Sequence, residues 1–151
     1  MDERPAYRKP GSLTQHVLNP AVAALTRAGV SVSGSAILRV RGRKSGEWRE
    51  NPVNLLPHQG DHFLVSPRGE TQWVRNLRVA AAGELRVGHR VRRFTAEEVA
   101  ADERAEVVRA YLKRWKWEVG VFFGGVGPDS TDAELHAESP YHPVFRLRIT
   151  T

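Results

Sequence analysis

A small antiparallel β-barrel with helices packed outside it is the fold the sequence predicts. Three observations carry the prediction. Short runs rich in apolar residues, split by Gly, Pro and Asp turn signals, fill most of the chain from Ser35 onward. Helical spacing is confined to a few scattered stretches. The length of 151 residues suits one domain, and a domain of that size buries about 68–70% of its unfolded surface without a staple.

Residues 1–11 are polar, carry Pro5 and Pro10, and read as a loose arm ahead of a single domain over 12–151. Ser12 is a good N-cap. Leu13, Val17, Ala21, Ala24, Leu25 and Ala28 then recur at helical spacing up to Gly29. Pro20 predicts a kink there, or two short helices meeting at Asn19-Pro20. Residues 36–40 read as a strand ended at Gly42, and 48–56 as a second. His58-Gln59-Gly60-Asp61 is a hairpin turn into a third strand at 62–65, closed by Ser66-Pro67-Arg68-Gly69. Trp73, Leu77 and Ala80 predict a short helix over 72–82, ending at Gly83. Residues 85–87 and 90–94 form a hairpin turning at Gly88-His89. Asp102 is placed to cap a long helix. Its core stripe is Val108, Tyr111, Leu112, Trp115 and Val119, and Gly120 stops it. Asp132 begins a short helical turn, and Val144, Phe145, Leu147 and Ile149 mark a final strand.

Composition excludes several chemistries. The chain has no cysteine, which removes disulfides, thiolate metal sites and thiol nucleophiles. Six histidines form no metal pattern, since a turn separates His58 from His62, so no metal is expected. No apolar run approaches the ~20 residues of a membrane span. Met-Asp-Glu-Arg-Pro opens without the apolar stretch of an export signal, and a cytoplasmic location is expected. There is no Gly-x-Ser-x-Gly elbow and no convincing nucleophile–base set, so an enzyme of this sequence would rely on a bound cofactor.

The net charge is +6, and its distribution is informative. Residues 39–93 hold 12 of the 23 basic residues but only 5 of the 17 acidic ones. Such an excess points to an anionic partner, or to a solvated face that keeps the chain soluble. Nucleic acid is not expected, because no RNA-recognition motif and no helix-turn-helix is present.

Within that segment lies Gly42-Arg43-Lys44-Ser45-Gly46, a tight turn between two strands. Its glycines allow successive N–H groups to converge on an anion, beside two cations and a hydroxyl donor. Arg49 is close enough to fold back onto the same anion. The alternative is an ordinary exposed hairpin. The loop is not a Walker A loop, since a strand rather than a helix follows it. Arg90-Val91-Arg92-Arg93 reads as a solvated strand face. Trp115 belongs to the core stripe. Trp117 falls off it and, with Phe122 and Phe123, is placed to wall a substrate pocket. The Phe-Phe-Gly-Gly segment is either a mobile flap or a loop anchored by its two phenylalanines.

The loop Gly42-Arg43-Lys44-Ser45-Gly46, then Arg49 and Pro52, then a hairpin, then Trp73-Val74-Arg75-Asn76-Leu77, resembles the deazaflavin-dependent nitroreductase and quinone reductase family of actinobacteria. The resemblance covers roughly residues 13–149. It implies a split β-barrel similar to that of the FMN-binding pyridoxamine-phosphate oxidases, mainly β with flanking helices. It implies coenzyme F420, an 8-hydroxy-5-deazaflavin, as hydride donor to a small organic acceptor such as a quinone, an enone or a nitro compound. Gly42, Arg43, Lys44, Ser45, Gly46 and Arg49 would then hold the coenzyme's phosphate and acidic tail. Pro52, Val53 and Asn54 would lie along the ring, with Ser66, Arg68, Trp73 and Asn76 on the segment covering its other side. The chain departs from the family's pattern at the short 68–73 loop and at Arg114-Trp115-Lys116-Trp117-Glu118, where some members carry tyrosines, which leaves the acceptor open. FMN, whose phosphate suits the same loop, is the alternative cofactor. A basic binding module for nucleic acid or anionic membrane is the non-enzyme alternative. A weak membrane contact through the N-terminal helical segment fits lipid-soluble quinones.

Overall fold

The computed structural model describes residues 34–150, so the expected arm and N-terminal helical segment lie outside the described residues. Seven strands form one antiparallel sheet: β1 (Ser35–Arg41), β2 (Trp48–Asn54), β3 (Leu56–His58), β4 (Asp61–Val65), β5 (Ala82–Val87), β6 (Arg90–Glu98) and β7 (Val144–Ile149). They are ordered β2-β1-β5-β6-β7-β4-β3, and the sheet curls into a half-barrel. The three hairpins read from turn residues are present. Gln59 and Gly60 both take positive φ (50° and 84°) between β3 and β4, as a two-residue hairpin turn requires. The second expected strand divides into β2 and β3, separated at Leu55.

Alternation along the strands sorts the apolar side chains onto two faces. One face carries Ala36, Leu38, Val40, Leu64, Leu85, Phe94, Phe145 and Leu147, packed with Trp73, Val74 and Leu77 of helix α1 (Gln72–Ala80). The other joins Leu56, Phe63, Val65 and Val144 to the stripe of helix α2 (Ala105–Val119). Every residue of that stripe, from Val108 to Val119, is buried. The two helices therefore take opposite faces of the sheet, flanking it as the sequence predicts.

Element ends differ from expectation for identifiable reasons. Helix α1 stops at Ala81, which takes the left-handed conformation (φ 54°) and donates its N–H to Leu77 O at 2.8 Å. Gly83 lies inside β5, because a Cβ there would sit 2.5 Å from Arg39 O and 3.0 Å from the Phe94 ring. Close approach of β1 and β5, not helix termination, is what requires this glycine. Asp102 falls in a 3₁₀ turn (Ala101–Glu103) and does not cap α2. The cap is Arg104, without a side-chain capping bond. Its buried guanidinium instead donates to Val99 O (2.8 Å) and Glu98 (3.2 Å). Gly120 keeps right-handed angles, and the chain runs on into a second 3₁₀ turn (Gly120–Phe122). Helix α3 (Asp132–Glu138) begins with a full capping box between Thr131 and Glu134.

Candidate functional site

The β1–β2 hairpin places the Gly-Arg-Lys-Ser-Gly loop at the end of the sheet beside α1. Antiparallel pairing from Ser35↔Asn54 to Arg41↔Trp48 leaves residues 42–47 to make the turn. Gly42 N donates to Glu47 O (2.8 Å) and Gly46 N to Gly42 O (2.9 Å). Glu47 N donates to the Ser45 hydroxyl oxygen at 3.1 Å. Gly46 sits at φ 75°, a region costly for residues with a Cβ. The expected convergence of successive N–H groups on an anion is therefore limited. Those of Gly42, Gly46 and Glu47 close the loop itself. Those of Lys44 and Ser45 have no partner among the described residues.

Asn76 decides how the loop is held. This side chain, 5% exposed on α1, accepts from Arg43 N at 3.1 Å and from the Arg43 guanidinium at 2.8 Å. Gln72, one turn earlier on α1, accepts from the same guanidinium nitrogen at 3.0 Å. The two separated sequence motifs thus meet through one amide oxygen. Both acceptors are neutral, so Arg43 is fixed in place with its positive charge uncompensated by them. Lys44 and Arg49 are exposed and form no ion pair among the described residues. Arg49 does fold back: its Nε would lie 3.5 Å from a Cβ added at Gly42, with Ser45 Oγ at 3.0 Å. The Glu47 carbonyl oxygen, 3.4 Å from the same point, shares this space at Gly42, which a Cβ would crowd. Other basic residues nearby are already occupied. Arg39 pairs with Glu84 (2.7 Å) and Glu50 (3.3 Å). Arg41 stacks on Trp48, 4.2 Å from the ring centroid, and donates to Gly46 O at 3.0 Å.

The 66–70 segment is locked from several sides. The Ser66 side chain is fully buried, and its hydroxyl donates to Gly69 O at 2.7 Å. The Ser66 hydroxyl thus closes its own turn. Glu70 and Glu98 both grip Arg78 at 2.7–3.0 Å. The hydrogen bond from Arg78 lowers the Glu70 pKa against an opposing effect of burial, and the two carboxylates raise that of Arg78. The Arg68 guanidinium lies 5.7 Å from the Phe122 ring centroid. Trp73 is 9% exposed and packs in the core 6.1 Å from Phe145, leaving little of the indole for a ligand.

Along β2, Pro52 is exposed, Val53 packs against the inner core, and Asn54 turns toward α2. Asn54 Nδ2 donates to Glu118 Oε2 at 3.4 Å, and Asn54 also acts on the neighbouring Tyr111 hydroxyl, holding its pKa down against burial. Burial raises the Glu118 pKa, partly offset by the Asn54 bond. Burial likewise raises that of Tyr111.

The expected pocket wall is corrected in part. Phe122 and Phe123 are 5% and 0% exposed, and Phe123 stacks on His142 with centroids 4.0 Å apart. They anchor the glycine-rich loop in the core, so the flap reading fails and neither ring faces outward as a wall. Trp117 is 66% exposed, its indole N–H donating to Arg114 O at 3.1 Å. Trp115 is core, as its spacing predicts.

Two buried polar groupings escaped the sequence reading. His142 Nε2 lies 2.5 Å from Glu138 Oε2 and its Nδ1 lies 3.2 Å from Ser66 O. The Tyr111–Asn54–Glu118 chain is the second. No regular spacing signalled it: Trp115, between Tyr111 and Glu118, takes non-helical angles (φ −127°, ψ 16°) that kink α2. Among the described residues no helix is long and apolar enough to cross a membrane.

A curled antiparallel sheet with a helix on each face defines a split-barrel fold of the FMN-binding-like class. Solved structures agree on the fold. The F420-H2 dependent reductase FDR-A is 18% identical over 76% of this chain and 94% of its own, with a TM-score of 0.53. A chain described as a domain-swapped dimer is 18% identical over 91% and 100%, at 0.55. The heme storage protein HutZ of Vibrio cholerae is 14% identical over 89% and 91%, at 0.51. No curated protein matches the chain at a significant level. The profile of the F420H(2)-dependent quinone reductase family matches residues 19–117, and the chain belongs to that family. It is accordingly an F420-dependent oxidoreductase with coenzyme F420 as its cofactor.

Proposed function

We propose that the protein uses reduced coenzyme F420 to reduce a quinone, with the 42–49 hairpin as the anchor for the coenzyme's phosphate and acidic tail. The observation that carries the site is the Arg43–Asn76 tie, which holds a cation in place through neutral acceptors only. Arg49 and the Ser45 hydroxyl lie beside Gly42, and the exposed Lys44 adds a further cation on the same loop. That donor set suits a phosphate with a carboxylate tail. Pro52, Val53 and Asn54 form the strand along which the ring would lie. Arg68, whose guanidinium lies over the Phe122 ring, and α1 belong to the segment proposed to cover the ring's other side. Among the aromatic residues proposed for the acceptor side, Trp117 is the exposed one.

When bound, the reduced coenzyme supplies a hydride. The protein's part is to fix donor and acceptor at near-attack separation, roughly 3–3.5 Å, and to supply a proton. A quinone follows from the family's description, and enones and nitro compounds are the alternatives within the same chemistry. The test is a side-by-side titration with coenzyme F420 and FMN, followed by turnover with a quinone, an enone and a nitroarene. Tighter F420 binding and quinone turnover are expected. Equal or tighter FMN binding would overturn the anchor, because the long acidic tail would then contribute nothing.

A further inference from the structure

The Tyr111–Asn54–Glu118 chain is unexplained by packing alone. It places a carboxyl on the partly buried side of α2, against the end of β2. Asn54 from β2 donates its amide N–H to the carboxyl, and the buried Tyr111 lies beside Asn54 on α2. Among the described residues, Asn54 and Tyr111 are the polar groups that interact with Glu118. Among the described residues no cation forms an ion pair with it. Arg114, one turn earlier on α2, lies over the Trp115 ring instead, 4.6 Å from its centroid. A half-buried carboxyl without a cationic partner favours its neutral, proton-bearing form, and burial indeed raises its pKa.

We propose that Glu118 is the acid that protonates the acceptor, with Asn54 as its positioning residue. The inference rests on the cofactor site proposed above. Six residue steps of β2, from Trp48 to Asn54, span roughly 20 Å at ~3.3 Å per residue. A ligand anchored by its acidic end at the hairpin and lying along that strand brings its other end toward Asn54 and Glu118. As the acceptor takes a hydride, the O–H bond of the Glu118 carboxyl breaks and an O–H bond forms on the acceptor oxygen. Two electrons arrive with the hydride, so a quinone becomes a hydroquinone. The Glu118 carboxylate then regains a proton from water. A neutral acid also avoids placing a negative charge beside an anionic coenzyme.

The experiment has two readouts. In the unliganded protein, carboxyl-labelled NMR should show Glu118 titrating above the ordinary carboxylate range, and higher again in Asn54→Ala, because the amide donor stabilises the charged form. In steady state with a quinone, kcat should fall as pH rises through that same titration, and this limb should move upward in Asn54→Ala. Glu118→Gln should lower kcat at least tenfold, remove the limb, and leave coenzyme F420 affinity within about twofold. Glu118→Gln turning over within twofold of the parent with an unchanged pH profile overturns the proposal. So does an ordinary carboxylate titration for Glu118. A parent protein that fails to bind coenzyme F420 overturns the cofactor site itself, and is read separately in the binding titration.

Discussion

Asn76→Asp tests whether the hairpin is an anion anchor or only a well-tied turn. The Asn76 oxygen accepts from Arg43 N at 3.1 Å and from the Arg43 guanidinium at 2.8 Å. Aspartate keeps an acceptor of the same shape, so both bonds persist and the guanidinium bond becomes charge-assisted. The fold should therefore hold, with a melting temperature at or near that of the parent. Ligand binding should not. Aspartate neutralises Arg43 and brings a negative charge to roughly 7 Å from an anion seated on the far side of that guanidinium, a repulsion of about 2.4 kcal/mol at an effective dielectric constant of ~20. That corresponds to roughly a fifty-fold loss in affinity. The assay is fluorescence titration with coenzyme F420 at low and high salt, alongside thermal melts of both proteins. Screening should shrink the gap as salt rises. Asn76→Ala is the contrasting variant, since it removes both bonds and should cost about 1–3 kcal/mol in stability. A folded Asn76→Asp protein that binds the coenzyme as the parent does at low salt would refute the anchor.

The other outcomes follow from the same geometry. Lys44→Ala should weaken coenzyme binding at least roughly tenfold at low salt without moving the melting temperature, because the side chain is exposed and a charge-assisted phosphate contact contributes about 1.5–3 kcal/mol. Trp115→Ala should destabilise by about 3–5 kcal/mol, as a fully buried tryptophan does. Trp117→Ala should leave stability nearly unchanged and shift the quinone constants instead, with coenzyme affinity within about twofold; unchanged turnover of every acceptor would remove Trp117 from the site. Ala81→Gly should raise stability by about 1 kcal/mol, seen as a melt a few degrees higher, because Ala81 sits at φ 54° where glycine is not strained.

Strand runs and hairpin turns were legible because their signals are local. The alternation of Val144, Phe145, Leu147 and Ile149, the Gln59-Gly60 turn and the stripe from Val108 to Val119 each depend on neighbours within a few residues. The hairpin loop was legible too, as a composition of glycines and cations, and its likeness to a known family lay in the order of two short motifs. What sequence alone left open was every relation across distance. Whether Gly83 ends a helix or lets two strands touch depends on Arg39 and Phe94, which approach it only after the sheet forms. Phe122 and Phe123 look like a flap beside glycines until α2 and His142 enclose them. Loop N–H groups that read as an anion nest are partly committed to the loop's own carbonyls and hydroxyl, and Asn76, 33 residues away from Arg43, fixes the cation instead. Glu118 follows the same rule: its sequence position places it near the stripe, but only the folded chain brings Asn54 of β2 to it as a partner and supplies the burial that shifts its proton affinity. Local backbone preference and periodicity are properties of short segments, whereas burial, hydrogen-bond partners and pKa are properties of the packed neighbourhood, which the chain acquires only by folding.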